Sequence, residues 1–384
     1  MRDKILTIFF ILLITSQVYG MAFTPKVTLN EKRLLAKIPE FRAERLLMSS
    51  YYADLGKFLN DRYPYRAPLI LAKNWIDYYV FSTSPSPKVH IGAEGWLYIR
   101  SGIKSYLQDE CNKKKKALNL ARTLNSIEKF LISKDKEFLF IVAPDKATIY
   151  PEHIGFKRPE NDCGTNFYEL FLRALKKYPL KGFIRLDDRL LKLKEDFPVY
   201  YRSGTHWNDR GSIIAGNAIL KGLSTPSNKY QLPEIRFKEI EDLRDLTILW
   251  GLNLTETVDA IRIWKKSDRE IKIKKLKPLK NGRPRLLITT TAAEGNALLP
   301  ETIIYRDSFM SMPLKLTQGY FKKINAIWTH KIPVAPKVDY PTLRASKIII
   351  IEVVERKLYR LKIREKALRE ALDSGAESKN KANN

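Results

Sequence analysis

At 384 residues the chain is long enough for one large domain or two modest ones, and its 44% hydrophobic and 29% charged residues exclude disorder as the default state. The 69 Lys+Arg against 42 Asp+Glu give a formal charge of +27. Such a balance points to an anionic partner, whether nucleic acid, membrane phospholipid or an acidic polysaccharide.

The N-terminus narrows the choice. Arg2 and Lys4 precede an apolar run from Ile5 to Ile14, followed by small residues up to Gly20. A basic start, a short apolar stretch and a small-residue cut site describe a secretory signal. Extended to Phe23, the run approaches the roughly 20 residues of a spanning anchor. Residues 1–23 therefore read as a signal peptide or N-terminal membrane anchor, a buried helix being the alternative. Export argues against nucleic acid and places the protein in the periplasm or on the outer face of the cytoplasmic membrane, soluble or anchored. In an oxidising compartment Cys111 and Cys163 can form one disulfide, with two free thiols as the alternative. The histidines His90, His153, His206 and His330 are scattered and no Cys-x-x-Cys pair occurs, so neither a metal nor another cofactor is expected.

From Asn30 to Tyr79 apolar residues recur at helical spacing, with a break near Pro64. Ser82 to Pro87 is a loop by composition, and Val89 to Tyr98 reads as two short strands around a glycine turn. Beyond this point strands and helices alternate. Helices are expected over Ala117–Ser133, Asn166–Lys177 and Gly211–Leu223. Strands are expected over Glu137–Ala143, Gly182–Leu186, Arg285–Thr290, Glu301–Tyr305 and Ser346–Val354. This rhythm implies a mainly parallel α/β sheet covered on both faces, with its site beyond the carboxyl ends of the strands. From Leu361 a basic helix fades into a tail expected to be disordered at its end.

Two segments carry candidate chemistry. Ser308, in Tyr305-Arg-Asp-Ser-Phe309, follows a predicted strand and precedes a helix-prone stretch. A turn there lifts the serine oxygen above the sheet and offers backbone N–H groups to an oxyanion. A plain cap by Asp307 or Ser308 accounts for the same residues. His206, in Ser203-Gly-Thr-His-Trp-Asn-Asp209, is the base such a serine needs. A structural histidine beside a core tryptophan is the alternative.

Together these segments resemble the AlgJ/AlgX family of polysaccharide O-acetylation proteins. In chain order the similar pieces are Asn60–Arg66, Val89–Tyr98, Val142–Lys146 with Ile149–Glu152, Tyr201–Gly211, Asp307–Phe309 and Ile351–Arg356. The resemblance as a whole spans about residues 30–360. The resemblance implies a three-layer α/β/α SGNH-hydrolase-like, flavodoxin-like fold over residues 101–360. Residues 24–100 would form an N-terminal helical segment with a short hairpin, and 361–384 a basic tail. It further implies acetyl transfer to hydroxyls of a polysaccharide, with Ser308 as nucleophile and His206 as base, and a membrane-bound O-acyltransferase as acetyl donor. An esterase using the same pair with water is one rival. A non-catalytic glycan-binding or scaffold protein is the other.

One departure matters for that choice. The family pattern is Asp-Thr-His-Trp, and here Gly204 stands where the carboxylate would orient the histidine. Losing that group costs about ten-thousand-fold in a triad enzyme. Asp209 or Glu352 is a candidate replacement; a Ser–His dyad and lost catalysis are the alternatives to it. Arg306 stands where the wider SGNH pattern has glycine. Lys146 and Tyr150, after the first sheet strand, are candidates to line the site; for Lys146 the plainer reading is a solvated loop edge. Asp61 with Arg66, and Glu355 with Arg356, read as structural ion pairs. The runs Lys113–Lys116 and Lys265–Arg285, with Trp264 beside the second, read as solvated surface or as attraction for an anionic glycan or membrane surface.

Overall fold

The computed structural model describes the chain apart from residues 1, 24–34, 109, 158–163, 224–231, 233–234, 253, 264–268, 278–284, 293–296, 330–333, 335–338 and 381–384. The side chains of 2, 13–14, 16–23, 263 and 374–380 are likewise not described. Cys163, Trp264 and His330 thus lie outside the described residues. The chain divides into two compact units: residues 1–91 with 243–255, and residues 92–242 with 256–384.

The first unit is helical. Arg2–Phe23 forms one helix, and the apolar side chains from Ile5 to Leu12 are exposed along it. Among the described residues no helix is long and apolar enough to cross a membrane. Helices Ser49–Arg62 and Arg66–Tyr79 meet at the turn around Pro64, where proline cannot continue a helix. Asp61 accepts a hydrogen bond from the Ala36 N–H at 2.7 Å. The segment 243–255 joins this unit through Trp250, whose carbonyl accepts from Asn74 Nδ2 at 2.5 Å and whose ring lies 5.0 Å from that of Tyr78.

The second unit is built on a seven-stranded sheet. In chain order the strands of the whole protein are β1 (Val89–Ile91), β2 (Leu97–Ile99), β3 (Glu137–Ala143), β4 (Phe183–Arg185), β5 (Ile235–Leu243), β6 (Thr255–Ile263), β7 (Arg269–Leu276), β8 (Arg285–Ala292), β9 (Thr302–Arg306), β10 (Lys323–Trp328) and β11 (Ile348–Val354). The sheet order is β4-β3-β11-β9-β10-β8-β7, while β5 and β6 form a separate ribbon. The five strands from β4 to β10 run parallel, as the alternation of strands and helices predicts. The expectation of a parallel sheet needs correcting at one edge, where β8 and β7 are antiparallel. These two strands follow one another closely in the chain, and antiparallel pairing needs no helical crossover.

Side-chain alternation along β3 and β11 builds two cores. Leu139, Ile141, Ile348 and Ile350 face one apolar cluster with helices Asp187–Lys194 and Asp209–Gly222. Phe138, Phe140, Ile349 and Ile351 face the other, with helices Lys114–Ser133 and Phe167–Lys177. Both faces are buried, so these strands read as unbroken apolar runs. The basic segment after Leu361 is not a detached tail: in helix Glu365–Asn380, Leu368, Ala371 and Leu372 are buried in the second cluster.

Close backbone approach explains one glycine. A Cβ at Gly182 would sit 2.0 Å from the Phe138 carbonyl oxygen, at the point where β4 enters the sheet beside β3. Ile350 is fully buried at the sheet centre. Ile350→Ala is expected to cost about 2–5 kcal/mol of unfolding free energy, read as a lower urea midpoint with unchanged slope.

Candidate active site

The carboxyl ends of β3, β9 and β11 adjoin because the three strands are parallel neighbours. Their following loops are laced together by carboxylates. Asp145, after β3, accepts from the Arg356 N–H at 2.9 Å and forms a buried ion pair with the Arg356 guanidinium. In return the Asp145 N–H donates to Glu355 Oε2 at 2.9 Å, and the Thr148 hydroxyl donates to the same oxygen at 2.6 Å. The ion-pair reading of Glu355 with Arg356 is thus corrected: Arg356 pairs with Asp145.

The Ser308 turn is held the same way. The Asp307 N–H donates to Glu352 Oε2 at 2.8 Å, and Asp307 accepts from the Val354 N–H at 3.0 Å and the Phe309 N–H at 2.9 Å. Asp307 is therefore a buried clamp on the turn. One of the N–H groups expected to face an oxyanion, that of Phe309, thus donates to Asp307 instead. Helix Ser311–Thr317 begins three residues beyond Ser308. Arg306 turns its guanidinium to Ser311 Oγ, 2.8 Å away, and over the Trp328 ring at 4.8 Å.

His206 lies in a tight loop. Tyr200 bridges Trp207, and Asn208 donates to the Val199 carbonyl at 2.9 Å while its side chain caps helix Asp209–Gly222. Gly211 lets this hairpin close, since a Cβ there would sit 2.6 Å from the Val199 carbonyl oxygen. The centre of the loop is held by Lys146. Its ammonium donates to the carbonyls of Tyr201 at 2.9 Å, Arg202 at 3.1 Å and Gly204 at 2.5 Å, beneath the rings of Trp96 and Tyr98. Lys146 is 4% exposed, so the solvated-edge reading fails. Buried cations need compensating oxygens, and the loop carbonyls supply them.

Phe309 joins the two segments. Its ring lies 4.8 Å from the His206 ring and 5.1 Å from that of Trp207, with the Arg356 guanidinium 5.5 Å from its centre. The serine turn and the histidine loop are thus neighbours at the carboxyl edge of the sheet. Ser308 and His206 are both partly exposed.

Other candidates have different duties. Asp209 accepts from the Tyr201 hydroxyl at 2.9 Å and the Ile261 N–H at 2.7 Å, and Glu352 from the Asp307 N–H. Both carboxylates thus already hold backbone, a duty that their proposed role in replacing the group missing at Gly204 did not anticipate. Tyr150 is buried, accepts from the Val199 N–H at 3.0 Å and packs at a tilt against Trp96, ring centres 4.4 Å apart. Among the described residues no cluster of His, Cys, Asp and Glu could hold a metal ion.

Burial sets the charge of the lacing groups. Glu352 is pushed well above the usual carboxylate range by burial and the nearby Asp307, and its Oε1 has no hydrogen-bond partner. Burial and Asp145 push Glu355 up to about 8. Between the unfolded value of 4.5 and about 8, the unfolded chain loses the Glu355 proton while the folded chain keeps it. Stability from this group therefore falls as pH rises through that window. Glu355→Gln, which keeps an accepting oxygen, is expected to gain stability relative to the parent between pH 5 and 8 in urea titrations. A difference independent of pH would refute the assignment.

Comparison with known proteins agrees with the residues. Residues 89–244 match the family model described as "SGNH hydrolase-like domain, acetyltransferase AlgX". A "Probable alginate O-acetylase AlgJ" of Pseudomonas syringae pv. tomato is 26% identical over 147 residues, 38% of this chain and 35% of that protein. Its counterpart in Pseudomonas aeruginosa is 26% identical over 141 residues, 36% of this chain and 33% of its own. This chain thus spans about a third of the length of the curated relatives it matches. The solved O-acetyltransferase domain of Pseudomonas putida AlgJ superposes with a TM-score of 0.49 at 16% identity, covering 75% of this chain and 100% of that one. Over residues 89–244 the chain is similar to that SGNH-hydrolase-like domain, and its similarity extends to AlgJ proteins.

Proposed function

We propose that this protein is an exported O-acetyltransferase that moves acetyl groups onto hydroxyls of a polysaccharide through Ser308 and His206. The observation that carries the reading is Phe309, which packs the serine turn against the His206 ring at the carboxyl edge of a parallel sheet. The alginate O-acetylase named among the relatives supports the reaction class.

In the first step the Ser308 oxygen attacks the acetyl carbonyl carbon while His206 takes the serine proton. The donor's leaving group departs with that proton, and the acetyl ester on Ser308 remains. In the second step a sugar hydroxyl attacks the ester, His206 accepts its proton, and returns it to the departing Ser308 oxygen. Proton transfer of this kind contributes about 10²–10⁴ in rate. A membrane-bound O-acyltransferase supplies the acetyl group in this reading, and the N-terminal segment serves as signal or anchor.

Gly204 and the occupied Phe309 N–H favour a second reading, a scaffold that has kept the fold and lost the chemistry. One experiment separates the two. The full chain is incubated with an activated acetyl ester, and peptides are mapped by mass spectrometry for the parent, Ser308→Ala and His206→Ala. Acetylation on Ser308, lowered at least about hundredfold by His206→Ala, is expected. A folded parent no more reactive than Ser308→Ala would put the scaffold reading first. Addition of a sugar acceptor then distinguishes transferase from esterase by whether acetyl reaches the sugar or water.

A further inference from the structure

A second feature of the same unit is a cleft of about 300 Å³ beside the serine turn. One wall is helix Arg100–Leu107 and the residue after it, which present Ser101, Lys104, Ser105 and Gln108 at helical spacing. The other wall is the segment after β11, with Arg356, Lys357, Tyr359 and Arg360. Glu110, Lys113 and Phe167 complete it. Among the described lining residues there are thus five cations, Lys104, Lys113, Arg356, Lys357 and Arg360, and one carboxylate.

Only part of this charge is cancelled where it stands. Arg356 is committed to Asp145, and Lys113 to Glu110. Lys104 and Arg360 have no carboxylate partner among the described residues, and Lys357 reaches only Asp307, 3.9 Å away. Tyr359 keeps the cations in place: Lys113 lies 4.9 Å and Arg360 4.9 Å from its ring centre. Lys104 and Arg360 are exposed, so water and salt screen part of their repulsion, and an anion bridging the two walls would relieve the rest. Two of its lining residues also touch the serine turn. Lys357 faces Asp307, which clamps the Ser308 turn, and Arg356 lies over Phe309.

We propose that the cleft binds a phosphoryl group carried on a sugar, and so positions a phosphorylated glycan beside Ser308; this rests on the acyltransferase reading above. A single carboxylate would leave most of the positive charge uncompensated. A phosphate monoester carries about −1.5 to −2 near pH 7 and presents three acceptor oxygens. Lys104, Lys357 and Arg360, with the Ser101 and Ser105 hydroxyls and the Gln108 amide, offer donors from both walls. Arginine forks match that geometry well.

The test is calorimetric titration of the full chain with glucose 6-phosphate, glucuronate and inorganic phosphate at fixed low salt. Glucose 6-phosphate is expected to bind about tenfold or more tighter than either other probe, a difference of about 1.4 kcal/mol. The double variant Lys104→Ala with Arg360→Ala is expected to weaken it by at least the same factor. The charge-keeping variant Lys104→Arg, which leaves the Arg360 fork in place, should hold binding within about threefold. Glucuronate binding as tightly as glucose 6-phosphate, inorganic phosphate binding equally well, or an unchanged alanine variant would each overturn the proposal. Acetylation of Ser308 by the small ester should persist in the alanine variant. Failure of the parent to bind phosphosugar with acetylation intact therefore counts against this inference alone. Loss of acetylation in the parent counts against the acyltransferase reading.

Discussion

The geometry of this site depends on one buried cation. The Lys146 ammonium is removed from water, and its charge is answered by three carbonyl oxygens of the loop that ends in His206. An ammonium buried without such oxygens would cost several kcal/mol. The loop therefore cannot leave without stranding the cation, and the lysine cannot leave without freeing the loop carbonyls. Because Lys146 follows β3, the histidine loop is referenced to the sheet rather than to solvent. The rings of Trp96 and Tyr98 flank the ammonium, with centres 5.5 and 5.1 Å away.

The serine side is referenced to the same sheet through β11. This strand lies between β3 and β9, and its terminal residues reach in both directions. Glu352 and Val354 hold Asp307, while Glu355 and Arg356 hold Asp145. The lacing explains why so many carboxyls stand at one sheet edge. Asp145 and Asp307 serve mainly to fix backbone, and Glu352 and Glu355 resist ionisation there because burial penalises their charged forms. The cleft proposed for a phosphoryl group shares Lys357 with this edge, 3.9 Å from the Asp307 clamp.

Much of this framework was legible in the residues. Strands β3 and β11 are unbroken apolar, β-branched or aromatic runs, and their limits fall within two residues of those expected. The helix expected over Asn166–Lys177 forms as well, and a capping box between Asn166 and Glu169 starts it. Strand β7 escaped notice for a physical reason. Ile271 and Ile273 alternate with Lys272 and Lys274, but the charge of the run outweighed its period of two. Short strand β10 carries an equally weak pattern. At the site, Ser308 and His206 were visible as motifs, whereas the true duties of Lys146, Asp145 and Glu355 were not. Their partners lie as far as 211 residues away in the chain, and only the parallel register brings them together. The cleft was hidden likewise: Lys113 appeared as one lysine in a charged run, and its packing on Tyr359 arises from the fold.

The central question is whether Lys146 positions the histidine loop. Lys146→Met keeps much of the side-chain volume and removes the ammonium. Amide hydrogen exchange across 199–208, followed together with acetylation of Ser308 by an activated ester, tests it directly. Faster exchange confined to that loop, with acetylation lost while the sheet stays protected, is the predicted result. Unchanged loop exchange with undiminished acetylation would contradict that role for Lys146.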